Sequence, residues 1–140
     1  MFRKTTLTSG LRVITEKLDS TKAVTVLVLV GAGSRYEKIE INGISHFLEH
    51  MFFKGGERFR TAKDVSEAID AVGGDFNAFT GKEYAGYYVK VAKEKVLTAF
   101  DVLSDMMMNA KFDQAEIEKE RGVILEEYNM YQDTPVYQIG

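Results

Sequence analysis

The chain has 140 residues, 45% of them apolar and 28% charged, which is the composition of an ordinary globular domain with enough length for one core. A net charge of −3 without any Lys/Arg cluster argues against nucleic acid or an anionic membrane as a partner. No cysteine is present, so disulfides and thiolate metal sites are excluded.

The start, Met1 to Thr6, lacks the apolar core of a secretory signal and runs into strand-like sequence, which predicts a cytoplasmic protein. Leu11–Glu16, after Ser9-Gly10, and the more apolar Ala23–Val30, before Gly31-Ala32-Gly33, read as two neighbouring strands, the second buried. The second run is too short to span a bilayer, which takes about 20 residues. Gly31-Ala32-Gly33-Ser34 lacks the further glycine and the lysine of a phosphate loop and reads as a strand-ending turn.

The next stretch, Ile44 to Phe53, holds the only two histidines of the chain, His46 and His50, with Glu49 between them. Two histidines placed at random would fall four apart roughly once in seventy times. Ile44, Phe47, Leu48, Met51 and Phe52 form the apolar stripe of a helix, with Asn42 as N-cap and Gly55-Gly56 at its end. His46, Glu49 and His50 then share the opposite side, and both imidazoles come within reach of one ion.

Thr61 to Asp64 opens a second helix with a capping box, a stripe of Val65, Ala68, Ile69 and Val72, and a stop at Gly73-Gly74. Asp75–Thr80 and Tyr84–Val91 read as a hairpin joined through Gly81-Lys82-Glu83. A helix over 94–109 follows, with Val96, Phe100, Leu103 and Met107 inward and Met106-Met107-Met108 as core filler. Asp113 caps a long last helix with Ile117, Ile124, Tyr128 and Tyr131 on its buried stripe and Pro135 at its end. The order ββααββαα predicts an α+β domain, helices packed on a mainly antiparallel sheet. The chain stops at Tyr137 to Gly140 just after a helix, and an incomplete domain is expected.

A catalytic zinc site takes three protein ligands and leaves one position for water. With His46 and His50 as two, the third must be a carboxylate. Glu120 and Glu127, two turns apart, lie on the flank of the last helix's stripe, whereas Glu126 points away near Lys119. A site at the core boundary wants Glu127 as ligand, with Glu120 suited to orienting a ligand. Glu49, within reach of a water on the metal, suits a general base for amide hydrolysis. A plain solvated helix face would explain an isolated pair of histidines, but not the glutamate between them together with a correctly facing downstream glutamate.

His46-x-x-Glu49-His50 is the inverted zinc motif, and its surroundings resemble the pitrilysin-type M16 metallopeptidases, in particular bacterial relatives of the mitochondrial processing peptidase. The resemblance runs through Gly31-Ala32-Gly33-Ser34-Arg35, Gly43 to Met51, Phe53-Lys54-Gly55, Asn77-Ala78-Phe79-Thr80 and Glu120-Arg121 to Glu127. It implies Zn²⁺ on His46, His50 and Glu127, Glu49 as catalytic base and Glu120 as supporting acid. It also implies that Asn77, Ala78 and Phe79 lie on a strand that receives a peptide substrate as an added β-strand. Residues 1–140 would be most of an N-terminal catalytic domain, to be completed by a second, homologous domain or subunit. The expected activity is endopeptidase action on unfolded peptides or presequence-like segments; a non-catalytic assembly subunit and a structural zinc module are the alternatives. No nucleic acid or membrane partner is expected, and assembly as a homo-oligomer stays open.

Overall fold

The structure, a computed structural model, describes residues 1–133. Strands β1 (Phe2–Thr6) and β2 (Arg12–Glu16) form an antiparallel hairpin of their own. Gly10 closes its turn at φ +86°, a conformation that favours glycine. β3 (Ala23–Val30), β4 (Asp75–Thr80) and β5 (Ala85–Ala92) form a second antiparallel sheet in the order β3-β5-β4, with Ala78 opposite Tyr87 and Leu27 opposite Tyr88. The α+β class and the antiparallel pairing are as expected. The predicted neighbours β2 and β3 are not paired: β2 takes β1, and β3 pairs with β5.

Helices α1 (Ile44–Phe52), α2 (Ala62–Asp70), α3 (Val96–Met108) and α4 (Gln114–Gln132) complete the described fold with three short 3₁₀ turns. The core lies between one face of the three-stranded sheet and α2 and α3: Ala85, Tyr87, Val89 and Val91 of β5 meet Val65 and Ile69 of α2 and Ala99, Val102, Leu103 and Met106 of α3. Only this face carries helices. β3 is therefore half-buried rather than buried, with Val26 and Val28 inward while Leu29 on the open face is 59% exposed.

The predicted capping box of α2 is present: Thr61 Oγ1 accepts the Asp64 N–H at 3.1 Å and Asp64 Oδ2 accepts the Thr61 N–H at 3.0 Å. For α3, Leu103 is core and Met107 packs against it as expected, but the rest of the buried row is Ala99, Val102 and Met106, and Phe100 is 54% exposed. Helical spacing alone does not fix which of two adjacent apolar rows faces the sheet. Of the methionine run, Met106 is core, Met107 packs against it and Met108 is exposed. Pro135 and the Tyr137–Gly140 end lie outside the described residues. Among the described residues no helix is long and apolar enough to cross a membrane.

Two contacts fix the loops that flank α1. Gly33 rests on the β4–β5 turn so closely that a Cβ there would stand 2.5 Å from Gly81 O and 2.7 Å from the Lys82 carbonyl group, and the Arg35 N–H donates to Lys82 O at 2.9 Å. On the far side, buried Asp105 of α3 holds the loop after α1, its Oδ2 accepting the N–H groups of Arg58 (3.0 Å) and Phe59 (2.9 Å) while Oδ1 accepts Asn109 Nδ2 (3.0 Å). Burial opposes this ionisation, but the backbone and Asn109 donors outweigh it and hold the carboxyl below its ordinary range.

Gly33→Ala is expected to lower unfolding stability by about 1–3 kcal/mol in urea titrations. Gly31→Ala, where an added Cβ meets nothing within 4 Å, should stay within about 0.5 kcal/mol of wild type. Asp105→Asn should be destabilised at neutral pH. Because the folded Asp105 titrates below its ordinary 3.8, its contribution is present above that value and is lost as pH falls through the lower one, so the gap between the two unfolding curves should narrow in acid.

Candidate metal centre

Helix α1 starts without the predicted Asn42 cap. Gly43 is the capping residue, in left-handed backbone at φ +92°, and offers no side chain. Glu37 replaces it from outside the helix: its Oε2 accepts the Gly43 N–H at 2.6 Å and its Oε1 the Ser45 N–H at 2.8 Å. The Ser45 hydroxyl also donates to it; with burial opposing and these backbone donors adding, the Glu37 carboxyl is held below the usual range. At the other end Phe52 and Phe53 hold α1 to the sheet, with ring centroids 5.3 Å (Phe52–Tyr87) and 5.6 Å (Phe53–Phe76) apart. Met51 is fully buried, but Ile44 of the predicted stripe is exposed.

This pinned helix presents His46 and His50 to α4. His46 Nε2 and His50 Nε2 are 3.1 Å apart, and Glu127 Oε2 lies 3.7 Å and 3.6 Å from them. Ligands 2.0–2.1 Å from a tetrahedral ion stand about 3.4 Å from one another, so this donor triangle has the size zinc requires. His46, His50 and Glu127 are half-buried and together make a group that could hold a metal ion.

The surroundings direct those donors. Glu120 Oε1 lies 2.8 Å from His50 Nδ1; a carboxylate accepts there, so Nδ1 carries the proton and Nε2 keeps its lone pair for the triangle. Glu120 is only 4% exposed and its Oε2 is paired with Lys54 Nζ. Burial alone would raise its pKa, but the hydrogen bonds from Lys54 and His50 and the charge of Lys54 prevail and the carboxyl stays below its usual range. On Glu127, the Tyr131 hydroxyl donates to Oε1 at 3.2 Å, which leaves Oε2 to face the histidines.

The structure thus brings together four of the predicted site residues, His46, His50, Glu120 and Glu127, and places Glu49 on the same helix. Glu49 accepts a hydrogen bond from Thr80 Oγ1 at the end of β4. Its charge, after burial, helps push the Tyr87 phenol up to about 12. Asn77, Ala78 and Phe79 lie on β4, an edge of the described sheet, where Asn77 Oδ1 accepts the Ala78 N–H at 2.8 Å and the Phe79 ring covers Gly86. One expectation for α4 is corrected. Its covered side is Ile117, Glu120, Ile124 and Glu127, so the glutamates sit within the stripe rather than beside it, and Tyr128 is 59% exposed. The partner across that side is imidazole and ammonium, which carboxylates satisfy and phenyl rings do not. Lys54, Thr80 and Glu37 carried no assigned role in the sequence. Lys54 could have been found, since it lies four residues beyond His50; the other two act across the fold.

The comparisons with known proteins give the family and the fold. Residues 12–139 match the family described as Insulinase (Peptidase family M16). An uncharacterized zinc protease of Bacillus subtilis, YmxG, is 47% identical over 96% of this chain and 33% of its own length. A probable mitochondrial-processing peptidase subunit beta of Arabidopsis thaliana is 50% identical over 89% of this chain and 23% of its own. The crystal structure of a protease from Helicobacter pylori superposes with a TM-score of 0.92 at 27% identity, covering 99% of this chain and 33% of that one. The chain therefore spans a third or less of the length of these relatives.

His46→Ala, His50→Ala and Glu127→Ala are each expected to abolish stoichiometric zinc binding in equilibrium dialysis, whereas Glu126→Ala should bind as wild type. Glu120→Gln should bind zinc about 10- to 100-fold more weakly. Wild-type affinity in Glu127→Ala would remove that residue from the ligand set.

Proposed function

The chain belongs to the insulinase family of peptidases, M16, and from that premise we propose that it is the metal-holding catalytic part of a zinc-dependent endopeptidase. The observation that carries this reading is the convergence of His46 Nε2, His50 Nε2 and Glu127 Oε2 within 3.1–3.7 Å, with a glutamate between the two histidines. The names of the relatives, zinc protease and processing peptidase, support the same metal and the same reaction class. His46, His50 and Glu127 would hold a zinc ion, which would supply Lewis acidity toward a water and toward the substrate carbonyl.

The residues of the chain divide the remaining work. Glu49 takes the proton of the attacking water and is placed to pass it to the leaving amine. Glu120 keeps His50 in the tautomer that offers Nε2, and Lys54 keeps Glu120 ionised while buried. The substrate is an unfolded peptide or presequence-like segment lying in extended form along β4, where Asn77, Ala78 and Phe79 contribute backbone groups and side-chain contacts. Recognition through the main chain tolerates many sequences, as a processing or clearing peptidase requires. Residues 1–140 act as the zinc-binding domain and meet a second M16-type domain or subunit across the substrate.

Glu49→Gln should keep stoichiometric zinc while cleavage of an unstructured fluorogenic peptide drops by about 10²- to 10⁴-fold. Cleavage at the wild-type rate would show that Glu49 is not the base. With the second M16-type domain supplied, a chelator should abolish turnover and added zinc restore it; a zinc-loaded assembly with no turnover would assign this chain a non-catalytic place in it.

A further inference from the structure

Glu49 stands on α1 with three rotatable bonds between its backbone and the carboxylate that is to meet water. A side chain with that freedom reaches one orientation only if something holds it. Among the described residues the one side-chain hydrogen bond to the Glu49 carboxylate comes from the Thr80 hydroxyl, which donates to Oε2. Oε1 is the less engaged of the two oxygens and so the better proton acceptor. We infer that Thr80 is the positioning residue of this site, fixing the Glu49 carboxylate so that Oε1 faces the water position beside the three donors.

The support behind Thr80 fits that task. Threonine is branched at Cβ and stiff about χ1, so its hydroxyl is offered in a defined direction. Thr80 is the last residue of β4, paired with Ala85 immediately before the Gly81–Tyr84 turn, which is closed by the Gly81 N–H donating to Tyr84 O at 2.9 Å. That turn is clamped from outside the hairpin. Gly33 packs on Gly81 and Lys82 with no room for a side chain, the Arg35 N–H donates to Lys82 O, and the Arg35 guanidinium pairs with Glu83. Strand β4 thus meets α1 twice, through Phe76 against the Phe53 ring and through the Thr80 hydroxyl on Glu49, and the clamp on the turn holds the end that carries the hydroxyl. A polar group that must keep one aim is best held by a side chain whose own backbone is fixed.

The inference rests on Glu49 being the base, and the tests separate the two. Thr80→Val removes the hydroxyl at nearly constant volume and Thr80→Ser retains it. In metal-free protein, NMR three-bond couplings should report one Glu49 side-chain rotamer in wild type and Thr80→Ser, and an average of several in Thr80→Val; a single rotamer in Thr80→Val overturns the inference whether or not the chain turns over. In zinc-loaded protein, Thr80→Val should lose about 10- to 100-fold in kcat with zinc content and KM unchanged, and Thr80→Ser should recover most of it. If Glu49→Gln is inactive while Thr80→Val cleaves at the wild-type rate, the positioning role fails and the base stands. If Glu49→Gln itself cleaves normally, it is the reading of the base that fails.

Discussion

A carboxylate buried between two helices governs the arrangement of this molecule. Glu120 is almost fully enclosed at the contact of α4 with α1, and an ionised group in that position needs a counter-charge and hydrogen-bond donors. Lys54, just beyond α1, supplies the charge, and the Nδ1–H of His50 supplies the other donor. The helices are therefore locked in one register, and Glu127, two turns further along α4, arrives opposite the two Nε2 atoms. The same interaction fixes the His50 tautomer. Packing, electrostatics and the donor geometry of the metal centre follow from one contact.

The rest of the fold keeps α1 still. Its N-terminus has no cap of its own, and Glu37 closes it from a loop six residues away. Its C-terminus leans on Tyr87 and Phe76 through two aromatic rings. The loop beyond is tied to α3 by Asp105. The sheet contributes differently: β5 is its covered centre, while β4, an edge of the described sheet, carries Thr80 to Glu49.

Much of the site was legible because it is local. Two histidines four apart with a glutamate between them face one way on any helix, and Glu127 was separable from Glu126 by helical angle alone. The capping box of α2 and the β4–β5 hairpin were equally readable, since each is settled within a few residues. The misreadings have a common cause. β2 was given β3 as a neighbour, Phe100 was counted in the α3 stripe, and Tyr128 and Tyr131 were put on the α4 stripe beside Ile117 and Ile124, because in each case the answer depended on a partner distant in the chain.

Side-chain identity and the 3.6-residue turn were enough to put His46, Glu49 and His50 on one side of α1 and to single out Glu127 over Glu126 on α4. Packing across the fold decided that the covered side of α4 carries Glu120 and Glu127 among its isoleucines, that Lys54 keeps Glu120 ionised, that Glu37 caps the helix of the two histidines and that Thr80 reaches Glu49. A buried charge is tolerable only where the fold delivers its counter-charge and donors, and which residues those are is fixed by packing across segments that no local pattern records.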